Sequence, residues 1–93
     1  MERVSQSDVV WLSLPAPAGR RPAIVVQGDA HNKSALQTTI VVPLTTNQRL
    51  AAMPGNVRLS ARQTGLSKAS VANLSQIQTV PKQSITGRVG RLS

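Results

Sequence analysis

The sequence has no cysteine, no phenylalanine and no tyrosine, a single tryptophan, and only three acidic residues. Without thiols, disulfides and thiolate metal sites are excluded and a reducing compartment is the default. Without aromatics the chain lacks the side chains that bury most surface per residue. Ninety-three residues allow one small domain, 1–93, which buries about 60–65% of its unfolded surface. Its core must therefore be thin and aliphatic. Such a chain either stands as a marginal monomer or completes its core in an oligomer, and an oligomer is the expectation here. No apolar run approaches the ~20 residues of a membrane span. Residues 1–8 lack the apolar stretch of a signal peptide, so the expectation is a cytoplasmic protein with no membrane partner.

The shortage of acids restricts chemistry. Glu2 and Asp8 sit near the N-terminus and Asp29 stands alone, so no pair suits a two-carboxylate mechanism. No His and carboxylate cluster has metal-ligand spacing, and no metal or other cofactor is expected. One histidine, His31, cannot supply a two-histidine acid/base pair. A Ser-His-Asp reading would need a remote serine that nothing marks. Against the three acids stand eight arginines and three lysines, for a net charge of +8. That surplus favours polyanionic partners, either nucleic acid or an acidic protein segment. Arginine, the commoner cation here, forms bidentate phosphate contacts. An enzyme of this composition would work through arginine and hydroxyl groups.

The hydropathy pattern is one of short strands. Asp8–Leu14 alternates, with Val10, Leu12 and Leu14 on one face and Val9 and Trp11 on the other. Pro15–Gly19 breaks it as a loop, and Ala23–Gln27 is a short buried strand. Asp29 is expected to cap a single helical turn through Asn32 to Ala35. Gln37–Leu44 is rich in β-branched residues, and Pro43 argues against a central, fully paired position near its end. Thr45–Gly55 is a polar loop. Asn56–Ser60 alternates, with Val57 and Leu59 inward. Ala61–Ala69 reads as a turn, Ser70–Val80 as one extended strand with a possible bulge, Pro81–Ile85 as a short helical turn, and Gly87–Leu92 as a last strand. Many short strands at close spacing indicate a small β-barrel or sandwich.

Five segments, in order, resemble one family. Asp8-Val-Val-Trp-Leu-Ser-Leu14 is similar to an opening Gly-Asp/Glu strand followed by Val/Ile-Trp. Arg20-Arg-Pro-Ala-Ile-Val-Val26 is similar to an Arg-Pro strand. Val41-Val-Pro-Leu-Thr-Thr-Asn47 is similar to a Pro-Val/Leu-Thr-Ser/Thr segment. Ser75-Gln-Ile-Gln-Thr-Val80 and Gly87-Arg-Val-Gly-Arg-Leu-Ser93 complete the pattern. Together they resemble the MazF/PemK toxin endoribonucleases of type II toxin–antitoxin systems. The resemblance implies an SH3-like β-barrel of PemK/CcdB type with one or two short helices, here with the C-terminal helix absent or truncated. It also implies a homodimer, single-stranded RNA as substrate, cleavage by the RNA's own 2′-hydroxyl without metal, and silencing by a MazE-like acidic antitoxin.

Carried over by motif, Arg21 matches the catalytic arginine before proline, and Thr45 the catalytic threonine or serine. Candidate RNA contacts are Arg20, Thr46, Asn47, Asn73, Ser75, Gln76 and Gln78, which could equally be ordinary solvated positions. Trp11 is expected in the core or in dimer packing, and His31 in a loop. Three departures stand out: the first loop is only Pro15–Gly19; Asn73 and Ser75 occupy positions where some relatives carry an arginine and an aspartate, with Gln78 in place of a frequent arginine; and relatives usually continue as a helix past the point where this sequence stops, Ser93. Proton transfer is therefore unassigned. The alternatives are a non-catalytic protein of the same fold that binds an antitoxin, RNA or DNA gyrase, and a general nucleic-acid-binding barrel.

Overall fold

Apolar residues come in adjacent pairs along this chain, Val9-Val10, Ile24-Val25 and Val41-Val42, because the central strands are covered on both faces. The computed structural model describes residues 4–92; the N-terminal reading of residues 1–3 and the ending at Ser93 lie outside the described residues. The strands are β1 (Asp8–Leu14), β2 (Gly19–Val25), β3 (Thr38–Thr45), β4 (Val57–Leu59), β5 (Ser70–Ala72), β6 (Gln78–Pro81) and β7 (Ile85–Arg91). The helices are α1 (Asp29–Asn32) and α2 (Ala61–Thr64), each of one turn. Three 3₁₀ turns, Gln48–Ala52, Leu74–Gln76 and Lys82–Ser84, fill the connections.

All seven strands join one antiparallel sheet in the order β4-β5-β3-β2-β1-β7, with β6 also paired to β3. One face of the central strands packs Val10, Leu12, Ala23, Val25 and Val41 with Val80 and Ile85. The other packs Val9, Ile24, Val42 and Leu44 with Leu59 and Ala72. The mainly-β expectation with short helices holds. The sheet is not closed by hydrogen bonds, however: among the described residues its path ends at β4 and β7. The two ends meet through side chains instead, since Val89 and Leu92 pack on the cluster that contains Leu59. Helix α2 sits at this seam. It has a complete capping box between Ser60 and Gln63 and stops at Gly65, whose φ of +84° favours glycine. A Cβ there would also lie 3.1 Å from Val89 Cγ1, so α2 and β7 approach closely.

Several local expectations are corrected. Ala61–Thr64 is helical rather than a plain turn, a start that the Ser60/Gln63 capping box announces. Gly28, not Asp29, is the N-cap of α1, and the helix ends at Asn32. Val57 shares the face of Leu59 but is left 49% exposed, because β4 is an edge strand of only three residues that nothing covers at that end. The segment 70–80 is two strands split by the 3₁₀ turn Leu74–Gln76. That split is why Pro43 is tolerated in the central strand β3, opposite Ala23. Its carbonyl accepts from Asn73 N at 3.0 Å, and N and O of one strand residue point the same way. The missing N–H therefore faces the gap where β5 gives way to β6.

A buried polar knot ties the elements together. Asn32 donates from Nδ2 to Gln27 O (2.8 Å) and accepts at Oδ1 from Thr39 Oγ1 (2.8 Å) and Gln27 Nε2 (2.9 Å). Lys82 Nζ donates to Asn32 O at 2.6 Å. Removing a hub of this kind leaves several buried groups unsatisfied, each costing about 1–3 kcal/mol. Asn32→Ala is therefore expected to destabilise by about 2–4 kcal/mol, measured by urea unfolding, with Thr39→Val losing about 1 kcal/mol. Nearby, the Gln6 N–H donates to Asp29 Oδ1 at 2.7 Å. That bond, then the Asn32 amide, and then Lys33 and Arg91 hold the Asp29 carboxyl below its ordinary value. A depressed carboxyl stabilises the fold above its unfolded value and loses this contribution as pH falls through the folded value. Melting temperature should thus drop on acidification below about pH 4, and Asp29→Asn should make that drop shallower.

Candidate functional site

The pairing of β2 with β3 sets Ala23 opposite Pro43, Ile24 opposite Val42 and Val25 opposite Val41. Continued outward, this register puts Arg21 opposite Thr45, on the face that carries Ala23 and Val25. Here the two strands leave the core. Along β2, burial passes from complete at Val25 to exposure at Arg21, and along β3 from buried Leu44 to half-buried Thr45. At these strand ends both residues border one groove of about 400 Å³, whose walls Trp11, Pro22 and Leu44 come from the opposite face, that of Val9 and Ile24, with Thr46 and Lys68 beside them. Lys68 arrives from the loop between α2 and β5.

The polar atoms are held from the backbone side. Arg21 Nε donates to Ala18 O at 2.9 Å, which braces the guanidinium on the first loop; its terminal nitrogens make no protein hydrogen bond among the described residues. Thr45 Oγ1 accepts from Asn47 N at 3.2 Å, so its own proton is available to a ligand. The Arg20 guanidinium lies over Trp11, 4.2 Å from the ring centroid, a cation–π distance. Three cations, Arg20, Arg21 and Lys68, thus gather at or beside the groove.

The carboxylates are placed elsewhere. Asp8 is buried against Arg88 and Arg91 at 3.3 and 3.4 Å, and Asp29 binds the N-terminal segment. His31 is exposed on α1. Neither acid nor the histidine lines the groove, and among the described residues no three His, Cys, Asp or Glu are grouped to hold a metal. Among the described residues no general base of ordinary type stands at the groove, so its surface offers fixed positive charge and a hydroxyl donor.

Of the candidates from the sequence, the structure brings Arg21, Thr45 and Thr46 to the groove, with Arg20 beside it on Trp11. Asn47 is committed to the backbone, accepting from Arg49 N at 3.2 Å. Asn73 Oδ1 accepts from Ser75 Oγ (2.8 Å) and Asn56 Nδ2 (3.4 Å), which shapes the β5–β6 connection. Gln76 and Gln78 are exposed, and Gln78 pairs with Val41, on the same face of the sheet as Arg21 and Thr45. None of Asn73, Ser75, Gln76 and Gln78 lines the groove. Trp11 departs from expectation on the packing side: it is only partly buried, belongs to neither aliphatic cluster, and forms groove wall. Lys68 was not legible, because its nearness to Arg21 comes from the fold-back of the α2–β5 loop and leaves no local pattern.

Comparison with known proteins agrees with this architecture. Residues 5–93 match the family model of PemK-like, MazF-like toxins of type II toxin-antitoxin systems. The chain is 43% identical to endoribonuclease MazF6 of Mycobacterium tuberculosis over 94 aligned positions, 96% of this chain and 82% of that protein. It is 32% identical to endoribonuclease EndoA of Bacillus subtilis, over 96% of this chain and 80% of the other. Among solved structures, the Mycobacterium tuberculosis toxin MazF-mt6 superposes with a TM-score of 0.79 at 23% identity, covering 92% of this chain and 80% of that one. A mycobacterial endoribonuclease in complex with its cognate antitoxin gives a TM-score of 0.78 at 21% identity, covering 97% and 80%. With the Arg-Pro strand, the Pro-Leu-Thr strand and the groove between them in place, the chain belongs to the PemK-like, MazF-like toxins of type II toxin-antitoxin systems.

Proposed function

We propose that this protein is an endoribonuclease that cleaves single-stranded RNA, with Arg21 and Thr45 acting on the scissile phosphate. The observation that carries the proposal is that Arg21 and Thr45 are cross-strand neighbours in the β2–β3 register and both border one groove. The names of the relatives at 43% and 32% identity support the same activity. In the reaction the 2′-oxygen attacks phosphorus and the P–O5′ bond breaks, leaving a cyclic 2′,3′-phosphate and a 5′-hydroxyl. Charge accumulates on the non-bridging oxygens. The free terminal nitrogens of Arg21 stabilise that charge, commonly the largest single catalytic contribution. Thr45 donates its hydroxyl proton to the same phosphate and holds it in line with the 2′-oxygen. The 2′-proton leaves to water and the 5′-oxygen takes a proton from water, because no carboxylate or imidazole among the described residues faces the groove. Arg21 serves as a hydrogen-bond donor to the phosphate, not as a base.

The same positive groove suits an acidic segment of an antitoxin, a role consistent with the mycobacterial relative solved with its antitoxin. The protein would act in the cytoplasm as a homodimer, which adds core to a chain poor in aromatics.

Purified protein incubated with a long single-stranded RNA in EDTA is expected to release fragments ending in cyclic phosphate. Arg21→Ala should slow cleavage about 10²–10³-fold, and Thr45→Ala about 10²-fold. Arg21→Lys should recover little, since an ammonium lacks the guanidinium fork. Equal cleavage by wild type and Arg21→Ala would overturn the proposal. The pH–rate profile should rise with hydroxide and lack the bell shape of a protein acid/base pair between about pH 5 and 8; a bell in that range would show that a titrating group has been overlooked.

A further inference from the structure

We propose that Trp11 and Lys68 form a nucleotide subsite beside Arg21 and Thr45, in which a base of single-stranded RNA packs on the indole and a neighbouring phosphate takes the Lys68 ammonium. The inference rests on the proposal that this groove receives RNA, and it concerns how the strand is held rather than how it is cut.

The only aromatic side chain in the sequence is not spent on the core. On its side of β1, Val9 is fully buried, whereas Trp11 opens onto the groove. An indole left there gains most of its remaining apolar burial from an incoming flat ring. Stacking on such a surface tolerates every base, so this subsite supplies affinity and registration without reading sequence. The Arg20 guanidinium, 4.2 Å from the ring centroid, covers one face of the indole and limits its rotation, so a base packs on the face that it leaves.

Lys68 is positioned by anchors on both sides. Before it, Gly65 closes α2, Leu66 N donates to Thr64 Oγ1 at 3.1 Å, and Leu66 packs on an aliphatic cluster. After it, Ser70 begins β5 and is buried at 2% exposure. Lys68 itself is exposed and makes no ion pair among the described residues. A groove of about 400 Å³ falls within the ~300–1,000 Å³ of small-ligand sites, room for one base with its sugar. Among the described residues that line it, the charged ones are Arg21 and Lys68, so a phosphate there meets positive charge.

The single tryptophan makes the test direct, because all indole emission comes from Trp11. Wild-type protein is titrated with short 2′-O-methyl RNA of randomised sequence, which binds but has no free 2′-hydroxyl to attack. Binding is followed in parallel by tryptophan emission and by anisotropy of an RNA label. Emission should change saturably, with the same midpoint as the anisotropy. Lys68→Ala should lower the slope of log affinity against log salt by about 0.7, one phosphate contact on a single strand, and Lys68→Arg should restore it. Trp11→Leu should weaken binding at least about fivefold. RNA binding with unchanged Trp11 emission and an unchanged salt slope in Lys68→Ala would overturn the subsite, as would no binding at all. Positive emission and salt readouts from a protein that cleaves no RNA would leave the subsite standing while the cleavage proposal fails. If Trp11→Leu does not fold, wild-type emission and the Lys68 pair still decide.

Discussion

The arrangement depends on one register, β2 against β3. Ala23 opposite Pro43 and Val25 opposite Val41 bury the middle of both strands, and this burial fixes what happens at their ends. A slip of one residue would turn β2 over relative to β3, taking Val25 away from the cluster of Val41 and driving Ile24 into its place. The same slip would send Arg21 and Thr45 to different faces. Core packing and the placement of the two polar residues are therefore a single constraint. The exposed ends need no tuning of their own once the apolar middles have chosen their partners.

The core needed for this is small, and it is divided. Two aliphatic clusters on opposite faces of β1, β2 and β3 share the work, so no large aromatic is required to span a thick interior. The cost is a sheet whose ends β4 and β7 meet only through side chains, with α2 lodged at the seam. Polar groups complete the closure. The buried Asn32 joins α1, β3 and the 3₁₀ turn at Lys82, and Asp8 holds Arg88 and Arg91 on β7. With Asp8 and Asp29 both committed to structure, the charged residues that line the groove, Arg21 and Lys68, are both positive. Charge distribution and fold thus lead to the same kind of partner, a polyanion.

Much of this was legible in the sequence where local pattern and tertiary role coincide. The alternation of Asp8–Leu14 gives β1 its bounds and both its faces, and the Arg-Pro and Pro-Leu-Thr wording marks the strands that carry the groove. Legibility failed where a residue's role is set by a distant segment. Pro43 argues against a central strand until the break between β5 and β6 is known to lie beside it. Val57 alternates as an inward residue, yet β4 is too short and too far to the edge to cover it. Trp11 reads as core on hydrophobicity alone, and only the strand ends around it reveal a wall. Lys68 carries no pattern, since the chain returns it to Arg21 through a helix of one turn. Asn73 and Ser75 show the reverse: polar residues that look free in the sequence are bonded to each other and to Asn56.

The central claim is that Arg21 and Thr45 serve one phosphate together rather than each acting alone. A double-mutant cycle on RNA cleavage addresses it directly, comparing single-turnover rates of wild type, Arg21→Ala, Thr45→Ala and the double variant. Groups that share one transition state are strongly non-additive. The account predicts a double variant scarcely slower than Arg21→Ala alone. Losses that simply multiply would mean independent sites and would contradict it.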